Sequence, residues 1–344
     1  MSGEVALAIK TAISVAAKAK DSKACRYILI GCLCLLLLPL LPLLFFIFFI
    51  SGASNSSTTP ATTVETYRVD VMQIASKYNM DDYVDLILAV MQQESGGKGN
   101  DPMQASESGF NTKYPRKPNG ITDPKYSIEC GIQALKNCLK LAGVQGPDDM
   151  ENISLALQGY NFGSGFISFA KANGGFSVEN AEKFAMAKAA ELGWKSYGDT
   201  NYVEHVLRYY NPSKEGKLPI FEKVKKIGES LLNTPYVLGA NNPGVAMDCS
   251  SFVCYVYTKA GKNMPRTTAQ GIYDKYCTPI SKEDVKAGDL IFFTKTYDCE
   301  NVISHVGIYC GHGVMLEEGG THAQYANCND EYWKEHFYGY GRVK

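Results

Sequence analysis

Apolar positions follow three different patterns along the chain, and each predicts a different kind of element. The first is continuous: residues 27–50 carry no charged side chain and contain Leu35-Leu36-Leu37-Leu38-Pro39 and Leu43-Leu44-Phe45-Phe46-Ile47. A helix of that length rises about 36 Å, enough to cross a hydrocarbon core of about 30 Å. This predicts a transmembrane helix, kinked at Pro39 and Pro42. The second pattern is helical. Tyr83, Ile87, Val90 and Met91 share one face of a helix that Asp81-Asp82 is expected to cap and Gly96-Gly97 to end. The third consists of short apolar runs, Asp289-Leu290-Ile291-Phe292-Phe293 and His305-Val306-Gly307-Ile308-Tyr309, which read as strands.

Charge orients the first element. Lys10, Lys18, Lys20, Lys23 and Arg26 precede it against Glu4 and Asp21, and the first basic residue after it is Arg68. The positive-inside bias places residues 1–26 in the cytoplasm and everything after residue 50 outside. Val5, Ile9, Ala12, Ile13 and Ala16 give this tail an apolar stripe, suited either to the inner leaflet or to a plain solvated tail. A cleaved signal peptide is the alternative, since Ser51-Gly52-Ala53 has a small-x-small form. Its apolar core would span only roughly 7 to 15 residues, so a retained single-pass anchor is the expectation. Residues 51–66, rich in Ser, Thr and Ala, read as a flexible tether. Asn211-Pro212-Ser213-Lys214-Glu215-Gly216 divides the remainder, giving a helical domain at 67–210, a linker at 211–217 and a helix-then-strand domain at 218–344.

At 344 residues with 45% hydrophobic and 20% charged side chains, the chain is long enough for two folded units. Lys and Arg total 34 against 35 acidic residues, which supplies no basic field for nucleic acid. Of 11 cysteines, Cys25, Cys32 and Cys34 lie within or beside the membrane segment. Cys130 and Cys138 share a helical stretch about 12 Å apart, beyond the roughly 7 Å limit for a disulfide. No Cys-x-x-Cys occurs, and no metal or cofactor is expected.

Two residues stand out chemically. Cys249 opens a helix whose apolar positions are Val253, Val256 and Tyr257, where unpaired amides and the helix dipole favour thiolate over thiol. His305, one of five histidines, begins an apolar strand that could hold its ring toward that sulfur. Glu94 is the second. Seven residues after Ile87, it falls on the apolar stripe, and a carboxyl turned toward protein has a raised pKa suited to proton donation.

The C-terminal half, from about residue 218, resembles NlpC/P60 cell-wall cysteine peptidases. The likeness rests on Thr234-Pro235-Tyr236-Val237-Leu238-Gly239, Asp248-Cys249-Ser250-Ser251-Phe252, Pro265-Arg266-Thr267-Thr268-Ala269-Gln270, Lys286-Ala287-Gly288-Asp289 and Ser304-His305-Val306-Gly307. It implies a papain-like α+β fold in which Cys249 attacks a peptide carbonyl and His305 exchanges the proton. It also implies Tyr236 near the nucleophile and Arg266 on the substrate side. The third, orienting residue falls at Glu317, with Glu318 or His322 as alternatives under a shifted register; Cys254 reads as core.

Residues 66–210 resemble the all-α lysozyme-like domains related to goose-type lysozymes and soluble lytic transglycosylases. Gln93-Glu94-Ser95, Asp101-Pro102-Met103-Gln104 and Leu157-Gln158-Gly159-Tyr160-Asn161-Phe162-Gly163 carry the likeness. It implies Glu94 as general acid and Gln104, Tyr160 and Asn161 along the sugar groove. Asp101 is the candidate second carboxylate of a muramidase; if it points away, a lytic transglycosylase results. The ensemble resembles membrane-anchored, two-domain wall hydrolases of conjugative elements. That implies peptidoglycan as substrate, the membrane and conjugative type IV secretion components as partners, and cell-wall opening during transfer. Rival readings are a non-catalytic wall-binding protein and a cysteine acyltransferase acting on lipid.

Overall fold

The computed structural model describes residues 60–212 and 216–344. The expected tail (1–26), transmembrane helix (27–50), first part of the tether (51–59) and centre of the linker (213–215) lie outside the described residues. Among those described, no helix is long and apolar enough to cross a membrane. The end of the tether is folded. Thr62–Glu65 form helix α1, Val64 is fully buried, and the Ala61 amide donates to Gln92 Oε1 at 2.7 Å. One valine inside a Thr-rich run anchors a segment whose average composition reads as linker.

The N-terminal domain is helical, as expected: α2 (Arg68–Lys77), α3 (Val84–Glu94), α4 (Pro124–Ala142), α5 (Met150–Phe162), α6 (Gly165–Ala172), α7 (Val178–Leu192) and α8 (Tyr202–Leu207). Helix α3 is its axis, surrounded by α1, α2 and α8. Leu86, Ile87, Leu88, Ala89, Val90 and Met91 are all fully buried, so the helix has no solvent face over that stretch and the expected single stripe is an understatement. Asp81 and Asp82 do not cap it. Asp81–Tyr83 form a 3-10 turn, the helix starts at Val84 without a side-chain cap, and the two carboxylates face Lys225 (3.6 Å) of the other domain and Lys217 (3.7 Å) at the end of the linker. Helix α4 is delimited by local chemistry. Asp123 accepts from the Lys125 and Tyr126 amides, Pro124 occupies the first turn and Gly143 ends it in the left-handed region.

The loop after α3 is held against α4 by Asp101, which is 2% exposed. Its Oδ1 accepts from the Ala105 amide (2.9 Å) and the Ser127 hydroxyl (2.6 Å), and its Oδ2 from the Ser106 amide (3.1 Å) and hydroxyl (2.5 Å). Beneath this clamp Met103 packs on Gly131, where a Cβ would come within 2.5 Å of the methionine side chain.

The C-terminal domain is α+β, also as expected. It contains α9 (Phe221–Glu229), the hairpin β1 (Asn241–Asn242) and β2 (Ala246–Met247), α10 (Cys249–Ala260) and α11 (Ala269–Tyr276). The strands β3 (Cys277–Ile280), β4 (Leu290–Thr294), β5 (Ile303–Gly311), β6 (Val314–Gly319) and β7 (His322–Asn327) follow, then α12 (Glu331–His336) and β8 (Phe337–Val343). The six longer strands form one antiparallel sheet in the order β3-β8-β4-β5-β6-β7. Leu290, Phe292, Val306, Ile308 and Leu316 join the helical core, α10 included, while Ile291, Phe293, Tyr309 and Met315 pack with Trp333 in a second cluster. Strands buried on both faces read as continuous apolar runs, which is why β4 and β5 were visible in the sequence.

Charged groups join the domains. Arg68 of α2 is buried among Glu65 (2.7 Å), Asp85 (2.8 Å) and the carbonyl of His312, in the β5–β6 turn. Asp85 also meets His312 Nδ1 at 2.9 Å, and Asn327 donates to the Glu65 carbonyl at 3.1 Å. Burial opposes ionisation of Asp85, but His312 and Arg68 outweigh it and hold its carboxyl down at about 2.

Asp101→Asn replaces an acceptor-only group by one presenting its own N–H to buried donors. Thermal unfolding should show a loss of about 2 kcal/mol or more in stability. An unchanged melting temperature would refute the clamp.

Candidate active sites

In the C-terminal domain, Cys249 is the first residue of α10 and is buried. Asp248 builds this helix start. Its Oδ1 accepts from the Ser251 amide (2.7 Å) and Ser250 hydroxyl (2.9 Å), while the Ser251 hydroxyl accepts from the Asp248 amide, a reciprocal capping box. Asp248 Oδ2 accepts from the Gly239 amide (3.0 Å) and from Arg266 Nη2 (2.5 Å). Arg266, expected on the substrate side, therefore braces the nucleophile's helix: its other arm donates to the Ser250 hydroxyl (2.8 Å) and to the Thr267 carbonyl.

His305 is buried at the start of β5, its ring stacked on Trp333 with centroids 5.1 Å apart. Its Nε2 lies 2.8 Å from Glu317 Oε2 on β6, and the Cys249 side chain is a hydrogen-bonding partner of the same ring. Burial works against a charge on this ring, but the Cys249 sulfur and the Glu317 carboxylate outweigh it and push the imidazolium up to about 10. Gln324, opposite Glu317 in the β6–β7 register, donates to Glu317 Oε1 at 3.2 Å.

The structure separates the three candidates for the orienting position. Glu317 meets the imidazole. Glu318 is turned to the opposite face of β6 by strand alternation, buried, with no hydrogen-bond partner on either oxygen among the described residues. Burial, then the Glu317 and Asp248 carboxylates, push it up to about 8. His322 Nδ1 contacts the Thr321 hydroxyl at 2.7 Å instead. Tyr236 is half-buried near Cys249. Burial and the charges of Cys249 and Asp248 hold its phenol protonated well above the ordinary range. Cys254 is buried in the core, its thiol 3.5 Å from the Pro265 carbonyl.

Sequence reasoning missed Gly319. A Cβ there would lie 2.1 Å from Glu317 Oε2 and 3.1 Å from His305 Cε1, so the absence of a side chain makes room for the carboxylate–imidazole contact. Its φ is not in the left-handed region, so the requirement is steric.

In the N-terminal domain, Glu94 ends α3 and is half-buried. Burial pushes its carboxyl up to about 7; the charges of Asp101 and Asp199 act in the same direction, and the 2.5 Å hydrogen bond from the Tyr202 hydroxyl opposes them. Tyr160 is near enough to feel the Glu94 charge, and its hydroxyl donates to the Met103 carbonyl at 2.9 Å. Asn161 accepts from the Asp199 amide at 2.8 Å. Gln104 is exposed with φ at 46°, and its amide donates to the Asp101 carbonyl (2.9 Å) and to Asn119 Oδ1 (3.0 Å).

Asp101 corrects the sequence expectation. It does not present a carboxylate to a groove, because both oxygens are committed to the four loop and helix donors described above. The groups that do accompany Glu94 were missed: Tyr202, and the pair formed by Asp199 Oδ2 and His205 Nδ1 at 2.6 Å. Their only signal was the polar cluster Asp199-Thr200-Asn201-Tyr202 before a short helix, more than 100 residues from Glu94.

The Lysozyme-like family model matches residues 61–218, and the NlpC/P60 family model matches 233–342. A Bacillus subtilis protein named bifunctional muramidase/DL-endopeptidase CwlT is 39% identical over 293 residues, covering 83% of this chain and 84% of that one. The probable endopeptidase p60 of Listeria monocytogenes is 38% identical over 124 residues, covering 36% of this chain and 23% of p60. Among solved structures, an NLP/P60-family protein of Staphylococcus aureus similar to lipoprotein is 31% identical, covering 83% of this chain and 99% of that chain at a TM-score of 0.39. The order of the two domains and the identity across both place the chain in the family of bifunctional cell-wall hydrolases to which CwlT belongs.

Proposed function

We propose that this chain is a bifunctional peptidoglycan hydrolase, a muramidase in its Lysozyme-like domain and a cysteine endopeptidase in its NlpC/P60 domain. The observation that carries the reading is the buried Cys249–His305–Glu317 chain at the start of α10. Cys249, as thiolate, attacks the stem-peptide carbonyl, and the His305 imidazolium gives its proton to the departing amine. The neutral ring then takes a proton from water, which attacks the thioester and releases the acyl half. Glu317 keeps the ring oriented and stabilises its charge, Tyr236 offers its hydroxyl to the oxyanion, and Asp248 with Arg266 fixes the helix start. In the other domain Glu94 protonates the leaving glycosidic oxygen, with Tyr202 holding the carboxyl and Tyr160 and Asn161 shaping the groove. Asp101 acts as a loop clamp outside the chemistry. The CwlT name supports the muramidase reading over transglycosylation even with Asp101 turned into its loop: Asp199, whose charge acts on Glu94, is the carboxylate left to take a proton from the attacking water, and the glycan product gains that water at a free reducing end.

The finer proposal is that residues 27–50 hold the enzyme on the outer face of the cell membrane and that it opens the wall locally during conjugative transfer. The uncharged run with five basic residues before it supports the anchor. Donor cells carrying Glu94→Gln with Cys249→Ala should transfer DNA poorly; normal transfer would contradict the conjugation role.

Digestion of purified peptidoglycan, read by mass spectrometry, should separate the two activities. Cys249→Ala should reduce peptide cuts by about a thousandfold and spare glycan cuts; Glu94→Gln should reduce glycan cuts by about a hundredfold or more and spare peptide cuts. Loss of both activities in either folded variant would refute the division. Fragments with 1,6-anhydro ends would refute the muramidase assignment.

The pH dependences should also diverge. Glu94 titrates at about 7, so its proton-donating form, present below that value, is lost as pH rises through it. The His305 imidazolium survives until pH approaches about 10. Glycan cutting should therefore fall between about pH 6 and 8 while peptide cutting persists to about pH 9. Alkaline limits that coincide would contradict the assignment.

A further inference from the structure

The Lysozyme-like domain holds Glu94 and Asp199 from one short helix. Tyr202 opens α8 and donates to Glu94 Oε1 at 2.5 Å. His205, three residues on and therefore on the same side of the helix, meets Asp199 Oδ2 through Nδ1 at 2.6 Å. A carboxylate only accepts, so the shared proton belongs to Nδ1 and the imidazole is the donor.

The backbone of Asp199 is fixed on both sides. Its amide donates to Asn161 Oδ1 at 2.8 Å, and its carbonyl accepts from Gln158 Nε2 at 2.8 Å and from the Tyr202 amide at 3.3 Å. Gln158 is fully buried in α5, which makes this frame rigid. Gly198 permits the close approach: its φ is 57°, and a Cβ there would come within 2.5 Å of the Phe162 ring and 2.7 Å of Asn161 Oδ1. These contacts decide where Asp199 stands but not where its carboxylate points. Direction comes from the Asn201 amide on Oδ1 at 2.9 Å, inside the same turn, and from His205 on Oδ2, the contact from outside it.

Exposure separates this carboxylate from Asp101. Asp101 is 2% exposed, whereas the side chains of Asp199 and His205 keep 33% and 35% of their surface, so water reaches the pair. The Asp199 charge acts on both Glu94 and Tyr202, which places the pair beside the acid.

We infer that His205 is a positioning residue for glycan cutting: by holding Asp199 Oδ2 it aims the carboxylate at the attacking water and so selects hydrolysis over closure of the substrate on itself. This rests on the muramidase reading above and adds to it the residue that fixes the product. In hydrolysis the glycosidic C–O bond breaks as the Glu94 proton passes to the leaving oxygen. The water oxygen bonds to the anomeric carbon, one water proton passes to Asp199, and His205 keeps its own. With Asp199 turned away, the substrate's own hydroxyl bonds to the same carbon and gives its proton to the Glu94 carboxylate, leaving a 1,6-anhydro end.

The full chain and its variants, acting on purified peptidoglycan with the product ends read by mass spectrometry, test this. His205→Leu removes the donor, and release of free reducing ends should slow by about tenfold, part of what a general base contributes. The ratio of free reducing ends to 1,6-anhydro ends should fall by a similar factor, a change that damage to the fold alone would not produce. His205→Asn, whose amide can donate to the same oxygen, should restore most of both. Peptide cutting by the same variants reports on folding, since His205 lies in the other domain from Cys249. A His205→Leu variant with unchanged rate and ratio, a slower one with the ratio unchanged, or a His205→Asn variant no better than His205→Leu would overturn the inference. If the unmodified chain itself leaves 1,6-anhydro ends, the muramidase reading fails, and the role of His205 with it.

Discussion

The contact between Glu317 and His305 is the constraint around which the catalytic half is arranged. A carboxylate and an imidazolium buried together are tolerable only as a pair, since removing one partner of such a pair typically costs about 3 to 5 kcal/mol. The surrounding structure serves that pairing. The β5–β6 ladder places the two side chains on one face, Gly319 leaves the space between them, and Gln324 engages the remaining carboxylate oxygen. Trp333 covers the ring. The His305 ring faces the Cys249 sulfur, and Asp248, through its capping box, sets that cysteine at the positive end of α10.

The Lysozyme-like half treats two carboxyl groups in opposite ways. Asp101 is buried with two donors on each oxygen, which fixes the loop. Glu94 ends a fully apolar helix with one phenol hydroxyl for a partner and titrates near neutrality. Environment assigns one to architecture and the other to proton donation. The Arg68 cluster then joins this half to the peptidase through ionic contacts, so the distance between the cutting groups is a property of the fold rather than of a flexible linker.

The sequence singled out Cys249, His305 and Glu94 because each belongs to a local pattern: a helix start, a strand start and the end of an apolar run. It located the orienting residue only to within Glu317, Glu318 and His322, since a one-residue step in a strand reverses the face and nothing local sets the register. The contacts of Asp101 with Ser127 and of Arg266 with Asp248 were not legible, because these partners lie 26 and 18 residues away. Tyr202, at 108 residues from Glu94, has no signal that periodicity can detect. The folded start at residues 61–65 was hidden by composition, and the membrane-spanning expectation concerns residues outside those described.

The protonation state of His305 in the resting enzyme is the central claim. Histidine-selective isotopic labelling of the full chain, followed by NMR from pH 6 to 11, reads it directly. The account predicts a His305 ring that is still doubly protonated at pH 8 and becomes neutral at lower pH when Glu317 is replaced by Gln. A His305 ring already neutral at pH 8 in the unmodified chain would contradict the account.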